Sequence, residues 1–186
     1  ADYGGAIGFC NDNDATLPTG TLAVRGGTHI EHNTALQDGG GVYFNSTQKD
    51  LSHSFTVYKE ERNGTMLYIF DATIANNAAA RDGGGVFSAG GSADTHFRAK
   101  DRDGRLYVRS TATISGNTAG RNGGGICSIT TPPATDYRSY FELNGAAKVI
   151  GNTAAGKGGG IYTNEDPLVY DNPQVTGNTL SDGSTM

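Results

Sequence analysis

The sequence predicts an all-β chain wound as a right-handed parallel β-helix of about five coils, with lateral β-hairpins inserted at one corner. Three observations carry that expectation: a recurring motif, constant spacing between apolar columns, and length variation confined to one interval. The motif reads "HIEHNTALQDGGGVYF", "TIANNAAARDGGGVFS", "TISGNTAGRNGGGICS" and "KVIGNTAAGKGGGIYT", followed by a partial fifth copy, "QVTGNTLSDGS". Such self-similarity marks a repeat architecture, in which each unit buries its apolar face against the next.

Each repeat opens on an alternating apolar pair: Leu22 and Val24, Met66 and Tyr68, Leu106 and Val108, Phe141 and Leu143, Pro167 and Val169. Eight positions after the first member of each pair stands a β-branched residue: Ile30, Ile74, Ile114, Val149 and Val175. Three positions further comes an asparagine, giving the column Asn33, Asn77, Asn117, Asn152 and Asn178, a candidate structural ladder. Two positions beyond each asparagine sit Ala35, Ala79, Ala119, Ala154 and Leu180. The glycine turns then deliver Val42, Val86, Ile126 and Ile161, each twelve positions after its Ile/Val column. Short period-two segments separated by Asn and Gly turns are strands rather than helices. Stacked coil on coil at about 4.8 Å, like positions form buried columns.

Only the interval from the post-glycine residue to the next pair varies, from six positions (Ile161 to Pro167) to twenty-four (Val42 to Met66). The longest insertion holds Asn63-Gly64 between alternating flanks and the next holds Asp103-Gly104, both strong signals for a type I′ hairpin. The third contains Pro132-Pro133, which suits an extended loop. Insertions at one position of a repeat emerge on one face, often the binding face. The candidate binding residues are therefore the insertion tips: Lys59, Glu60, Glu61, Arg62, Asp101, Arg102, Asp103, Tyr137 and Tyr140.

A net charge of −5, from 14 basic and 19 acidic residues, gives no counterion-release drive toward nucleic acid. No apolar run is long enough to cross a membrane as a helix, so membrane insertion by this chain is not expected. The chain reads as one domain over residues 1–186, and as a fragment of a longer surface protein. Cys10 and Cys127 are expected to follow the same motif three coils apart, about 14 Å, too far for a disulfide.

Gly4-Gly5-Ala6-Ile7 is a literal GGAI tetrapeptide, and the glycine turns before Val42, Val86, Ile126 and Ile161 are close variants. These repeats resemble the GGAI and FxxN repeats of the polymorphic outer membrane proteins of chlamydiae and related autotransporter-type adhesins. Here Ile or Val stands where that pattern has Phe, as in Ile30-Glu31-His32-Asn33. The resemblance implies a right-handed parallel β-helix and an extracellular or cell-surface adhesin segment.

The chemical motifs are weak beside this pattern. Gly151 to Lys157 nearly spells a phosphate-binding loop, but Gly158 replaces the Ser/Thr and no strand-to-helix transition follows. Asn11 to Gly20 lacks the glycine and distal glutamate of a calcium loop. His29, His32, His53 and His96 have no spacing that places a third ligand. The acids Asp38 and Asp82 stack, yet their column continues as Asn122 and Lys157, which reads as turn chemistry rather than a catalytic carboxylate pair. Asn45-Ser46-Thr47 and Asn63-Gly64-Thr65 match the glycosylation pattern at the frequency chance supplies.

The functional expectation is a non-enzymatic adhesive solenoid without metal or cofactor, whose hairpin corner contacts a surface protein or glycan. Its open ends would meet neighbouring coils or copies. Two alternatives stand beside it: a purely architectural segment of an extracellular fibre or giant surface protein, and a polysaccharide-active β-helix enzyme.

Overall fold

The computed structural model describes residues 1–10, 21–45, 66–90, 105–130 and 141–184. Strand β1 (Ile7–Cys10) comes first. The first coil comprises β2 (Thr21–Arg25), β3 (His29–Glu31), β4 (Thr34–Ala35) and β5 (Val42–Asn45). The second repeats it as β6 (Met66–Phe70), β7 (Thr73–Ala75), β8 (Ala78–Ala79) and β9 (Val86–Gly90). The third comprises β10 (Arg105–Arg109), β11 (Thr113–Ser115), β12 (Thr118–Ala119) and β13 (Ile126–Thr130). The fourth comprises β14 (Phe141–Asn144), β15 (Lys148–Ile150), β16 (Thr153–Ala154) and β17 (Ile161–Thr163). A fifth is built from β18 (Leu168–Tyr170), β19 (Gln174–Thr176) and β20 (Thr179–Leu180).

Equivalent strands of successive coils pair in parallel, giving four five-stranded sheets and no helix among the described residues. We term them sheet A (β1, β5, β9, β13, β17), sheet B (β2, β6, β10, β14, β18), sheet C (β3, β7, β11, β15, β19) and sheet D (β4, β8, β12, β16, β20). The chain is a parallel β-helix. Ile30, Ile74, Ile114, Val149 and Val175 pair one above the next in sheet C, and Ile7, Val42, Val86, Ile126 and Ile161 do so in sheet A. One apolar core runs between the sheets from Val24 to Val149.

One expected pair is corrected. Leu22 pairs with Leu67 and Val24 with Ile69, so Leu67 and Ile69 fill the core of the second coil while Met66 and Tyr68 face outward. The step to Ile74 is therefore seven there, not eight. Coil two turns from sheet B to sheet C with one residue fewer, at Asp71, whose φ of 51° lies in the left-handed region. The five apolar residues of Met66–Phe70 carry no alternation that could fix the phase. Ala72, Ala112 and Ala147, buried at the same corner, form a further core column.

The asparagine column is a hydrogen-bonded ladder. The Asn117 backbone N–H and side-chain Nδ2 both donate to Asn152 Oδ1, at 2.9 and 3.0 Å, and Nδ2 also donates to the Ile74 carbonyl at 3.0 Å. Asn77 makes the same three bonds to Asn117 and Ile30, and Asn152 makes them to Asn178 and Ile114. Each amide thereby satisfies three buried backbone or side-chain groups that no water can reach.

The glycine turn is shaped around this ladder. Gly83 takes a φ of 65°. A Cβ on Gly84 would lie 2.4 Å from the Gly124 and Thr118 carbonyl oxygens, and one on Gly85 would lie 2.9 Å from Asn117 Nδ2. The first glycine is thus required by conformation, the second by close backbone stacking, and the third by the asparagine beside it.

Asn117→Ala should cost about 3 kcal/mol, because it strands the Asn77 N–H and the Ile74 carbonyl in a dry interior. Asn33→Ala, at the part-exposed first rung, should cost less than about 1 kcal/mol. Urea unfolding of the two variants checks this, and equal losses would contradict it.

Candidate functional site

Every long insertion lies between the end of a sheet A strand and the start of the next sheet B strand, as from Asn45 to Met66, Gly90 to Arg105 and Thr130 to Phe141. The expected tips Lys59, Glu60, Glu61, Arg62, Asp101, Arg102, Asp103, Tyr137 and Tyr140, and both expected hairpins, lie outside the described residues. The described structure shows the two outer faces that flank this corner.

On sheet A, side chains pointing away from the core form their own ladder. The Tyr3 and Tyr43 rings lie 4.8 Å apart, and those of Tyr43 and Phe87 stack at 5.2 Å and 5°. Phe87, Ala89 and Cys127 form a second buried cluster. Cys127 pairs with Phe87 and Tyr162 in the sheet, whereas Cys10 pairs with Asn45, so the cysteines occupy different columns rather than the same one. No disulfide joins them. Burial pushes the Cys127 thiol well above its ordinary range.

On sheet B the outward residues remain partly open and are chemically richer. Because Leu67, Ile69, Leu106 and Val108 face the core, strand alternation turns Tyr68 and Tyr107 to the opposite side. Their rings stack at 4.6 Å and 8°. The Arg109 guanidinium lies 4.3 Å over the Tyr107 ring and its Nε sits 2.7 Å from Glu142 Oε1. Tyr170 donates its hydroxyl to the same Glu142 oxygen at 2.7 Å, and Asn144 Nδ2 donates to both Glu142 and Tyr170. Stacked rings, a cation–π contact, the Arg109–Glu142 ion pair and the Tyr170 and Asn144 hydrogen bonds thus link four coils into one aromatic and charged surface. Its signal in the sequence was present, in Tyr68, Tyr107 and Tyr170, but the inward assignment of Tyr68 concealed it.

The stacked acids sit at the corner between sheets D and A. Asp82 donates its N–H to Asp38 Oδ1 at 3.1 Å, and Asn122 donates its N–H to Asp82 Oδ1 at 3.0 Å. Lys157 continues the pattern, its N–H reaching Asn122 Oδ1. Arg121 grips Asp82 through Nε and Nη2, and Arg81 Nε lies 3.6 Å from Asp38. Buried and spent on amides and guanidinium groups, these carboxylates act as coil-to-coil staples. No group of three or more His, Cys, Asp or Glu suited to a metal ion occurs among the described residues.

Residues 111–129 match the model of the Chlamydia polymorphic membrane protein (Chlamydia_PMP) repeat. That span holds Thr113–Ser115, Asn117 and the Gly123–Gly125 turn. This stretch of the third coil is thus similar to a polymorphic membrane protein repeat. No curated protein and no solved structure matches the chain.

Two measurements follow. Withdrawal from water holds the Asp38 carboxyl above its ordinary value, although the Asp82 N–H and Arg81 pull the other way. A raised acid contributes most stability below about pH 4 and loses that contribution as pH rises through its folded value. Asp38→Asn keeps the acceptor, as Asn122 does naturally, so its stability relative to wild type should rise from pH 3 to pH 7 in melting scans. A constant difference would contradict this. In the native protein a thiol reagent should modify exposed Cys10 and leave Cys127 untouched, with both reacting in denaturant.

Proposed function

We propose that this chain is a non-enzymatic surface solenoid of adhesin type, in which a rigid coil displays contacts for a surface protein or glycan at the corner between sheets A and B. The observation that carries this reading is the confinement of every long insertion to that corner, while the core columns stack without a break. The Tyr68, Tyr107, Arg109, Glu142 and Tyr170 surface lies beside it, and side chains of this kind, aromatic and arginine, dominate binding energy in protein interfaces. The polymorphic membrane protein repeat at residues 111–129 supports a place at the cell surface. The engagement of Asp38 and Asp82 with amides and arginines supports a non-enzymatic role over depolymerisation of a polysaccharide.

A purely architectural role is the second reading. It is favoured by the Asn77, Asn117 and Asn152 ladder and the close-packed glycine turns, which serve coil-to-coil stacking alone.

The test separates the two. Beads carrying the chain should bind cell or glycan-coated surfaces, and Tyr68→Ala with Arg109→Ala, or removal of residues 59–65, should weaken retention by about tenfold or more. The circular dichroism of these variants should stay β-rich. Retention unchanged by all of them, or absent from the start, refutes the adhesive role.

A further inference from the structure

The stacked rings on the outer face of sheet B leave one ring face uncovered. In β2 the residues Leu22 and Val24 pack on the core, so Ala23 and Arg25 turn outward. Ala23 pairs with Tyr68 and Arg25 with Phe70. One face of the Tyr68 ring is covered by Tyr107, at 4.6 Å and 8°. The other lies over Ala23, whose single methyl group is too small to cover it, and no ring or cation lies there among the described residues.

Sheet A shows the contrast. There Gly8 stands beside Tyr43 in the register, and the Tyr3 ring, 4.8 Å away, closes the gap. The gap in sheet B is set by the size of Ala23. A side chain one coil beyond Ala23 would stand two strand spacings, about 9.6 Å, from Tyr68 and would wall the notch rather than fill it.

The charges around the notch are unequal. Arg25, Arg105 and Arg109 face outward from sheet B, against Glu142 as the one outward acid among the described residues of that sheet. Arg109 is engaged by Glu142 and Tyr107, and Arg105 by the Tyr107 hydroxyl. Arg25 is exposed and makes no ion pair among the described residues. It stands two residues along β2 from Ala23, about 6.6 Å, and so at the height of the notch. The Tyr68 hydroxyl donates to Met66 Sδ at 3.3 Å, a weak acceptor, and keeps its own oxygen free to accept.

We propose that this notch holds one hexuronic acid residue of a glycan, with its flat C–H face on the free face of Tyr68 and its carboxylate on the Arg25 guanidinium. The proposal rests on the adhesive role of the sheet B surface and specifies what that surface takes. The negative face of an aromatic ring attracts the weakly positive C–H groups of a sugar. A guanidinium binds a carboxylate through two parallel hydrogen bonds. The carboxylate of glucuronic acid leaves its ring equatorially, so a sugar stacked on Tyr68 at the height of β2 aims it along the strand toward Arg25. The axial carboxylate of a sialic acid points off that plane. One free guanidinium calls for one negative charge rather than a polyanion. An acidic peptide satisfies Arg25 but leaves Tyr68 bare, because an aspartate or glutamate side chain has no flat C–H face.

Saturation-transfer NMR and titration calorimetry on the full chain test this with a disaccharide ending in glucuronic acid. Its methyl ester, lactose, sialyllactose and a glutamate-rich peptide serve as comparisons. The acid should bind, and each comparison should bind at least about tenfold more weakly. Arg25→Gln should weaken the acid by a similar factor. Ala23→Tyr, which continues the ring stack into the notch, should abolish binding with unchanged circular dichroism and melting. No binding of the acid, equal binding of the ester or lactose, tighter binding of sialyllactose or the peptide, or binding that survives Ala23→Tyr each overturns the proposal. Bead retention on cells separates this outcome from the broader role. Retention that Ala23→Tyr leaves intact refutes the notch and spares the adhesive role, whereas notch-dependent binding of the acid without retention upholds the notch and refutes adhesion.

Discussion

The asparagine ladder is the constraint on which the rest of the coil depends. A turn inside a solenoid leaves backbone groups pointing along the axis in a dry environment, and an unmet buried amide or carbonyl costs on the order of 1 to 3 kcal/mol. Asn77, Asn117 and Asn152 resolve this with one side chain per coil, each accepting from the rung before and donating back to a strand carbonyl. Because each amide needs its counterpart at the same height, the ladder fixes the vertical register of every coil. Sheets C and D then follow on either side of it, and the glycine turn must stay free of side chains where it passes over the amide.

This explains the division between constancy and freedom. The residues from the Ile/Val column through the asparagine to the post-glycine strand are held by contacts to both neighbouring coils. Between sheets A and B no such ladder runs through the described residues, and there the chain departs and returns at different lengths. The corner between sheets B and C is intermediate. It accepts a one-residue change in coil two, where the Asp71 carboxylate caps Thr111 of the next coil.

Much of this was legible in the sequence. The Asn, Ala and Ile/Val columns carry one residue type per coil at fixed spacing, and stacking at a fixed rise converts that spacing directly into contact. The phase of β6 was not legible, since Met66 to Phe70 is apolar throughout and only the paired strands β2 and β10 decide which residues turn inward. The surface of Tyr107, Arg109, Glu142 and Tyr170 was hidden for a different reason. Its members belong to three different coils and are brought together by outward alternation, which leaves no local motif. The pairing of Arg81 with Asp38 and of Arg121 with Asp82 was equally nonlocal, each arginine reaching back one coil.

The one-way orientation of the amides at the glycine turn has a consequence for the molecule as a whole. In an ordinary sheet strand dipoles largely cancel, because successive peptide units point in opposite directions. Here several consecutive units per coil, from Gly83 to Val86 and at the equivalent turns, point the same way along the axis. Each contributes about 3.5 D, as in an α-helix. On the other side of the same coil the Thr118, Gly120 and Arg121 amides point back toward Asn77, Ala79 and Arg81, so the two sets oppose one another and the stack grows by coils without building a large dipole along its axis.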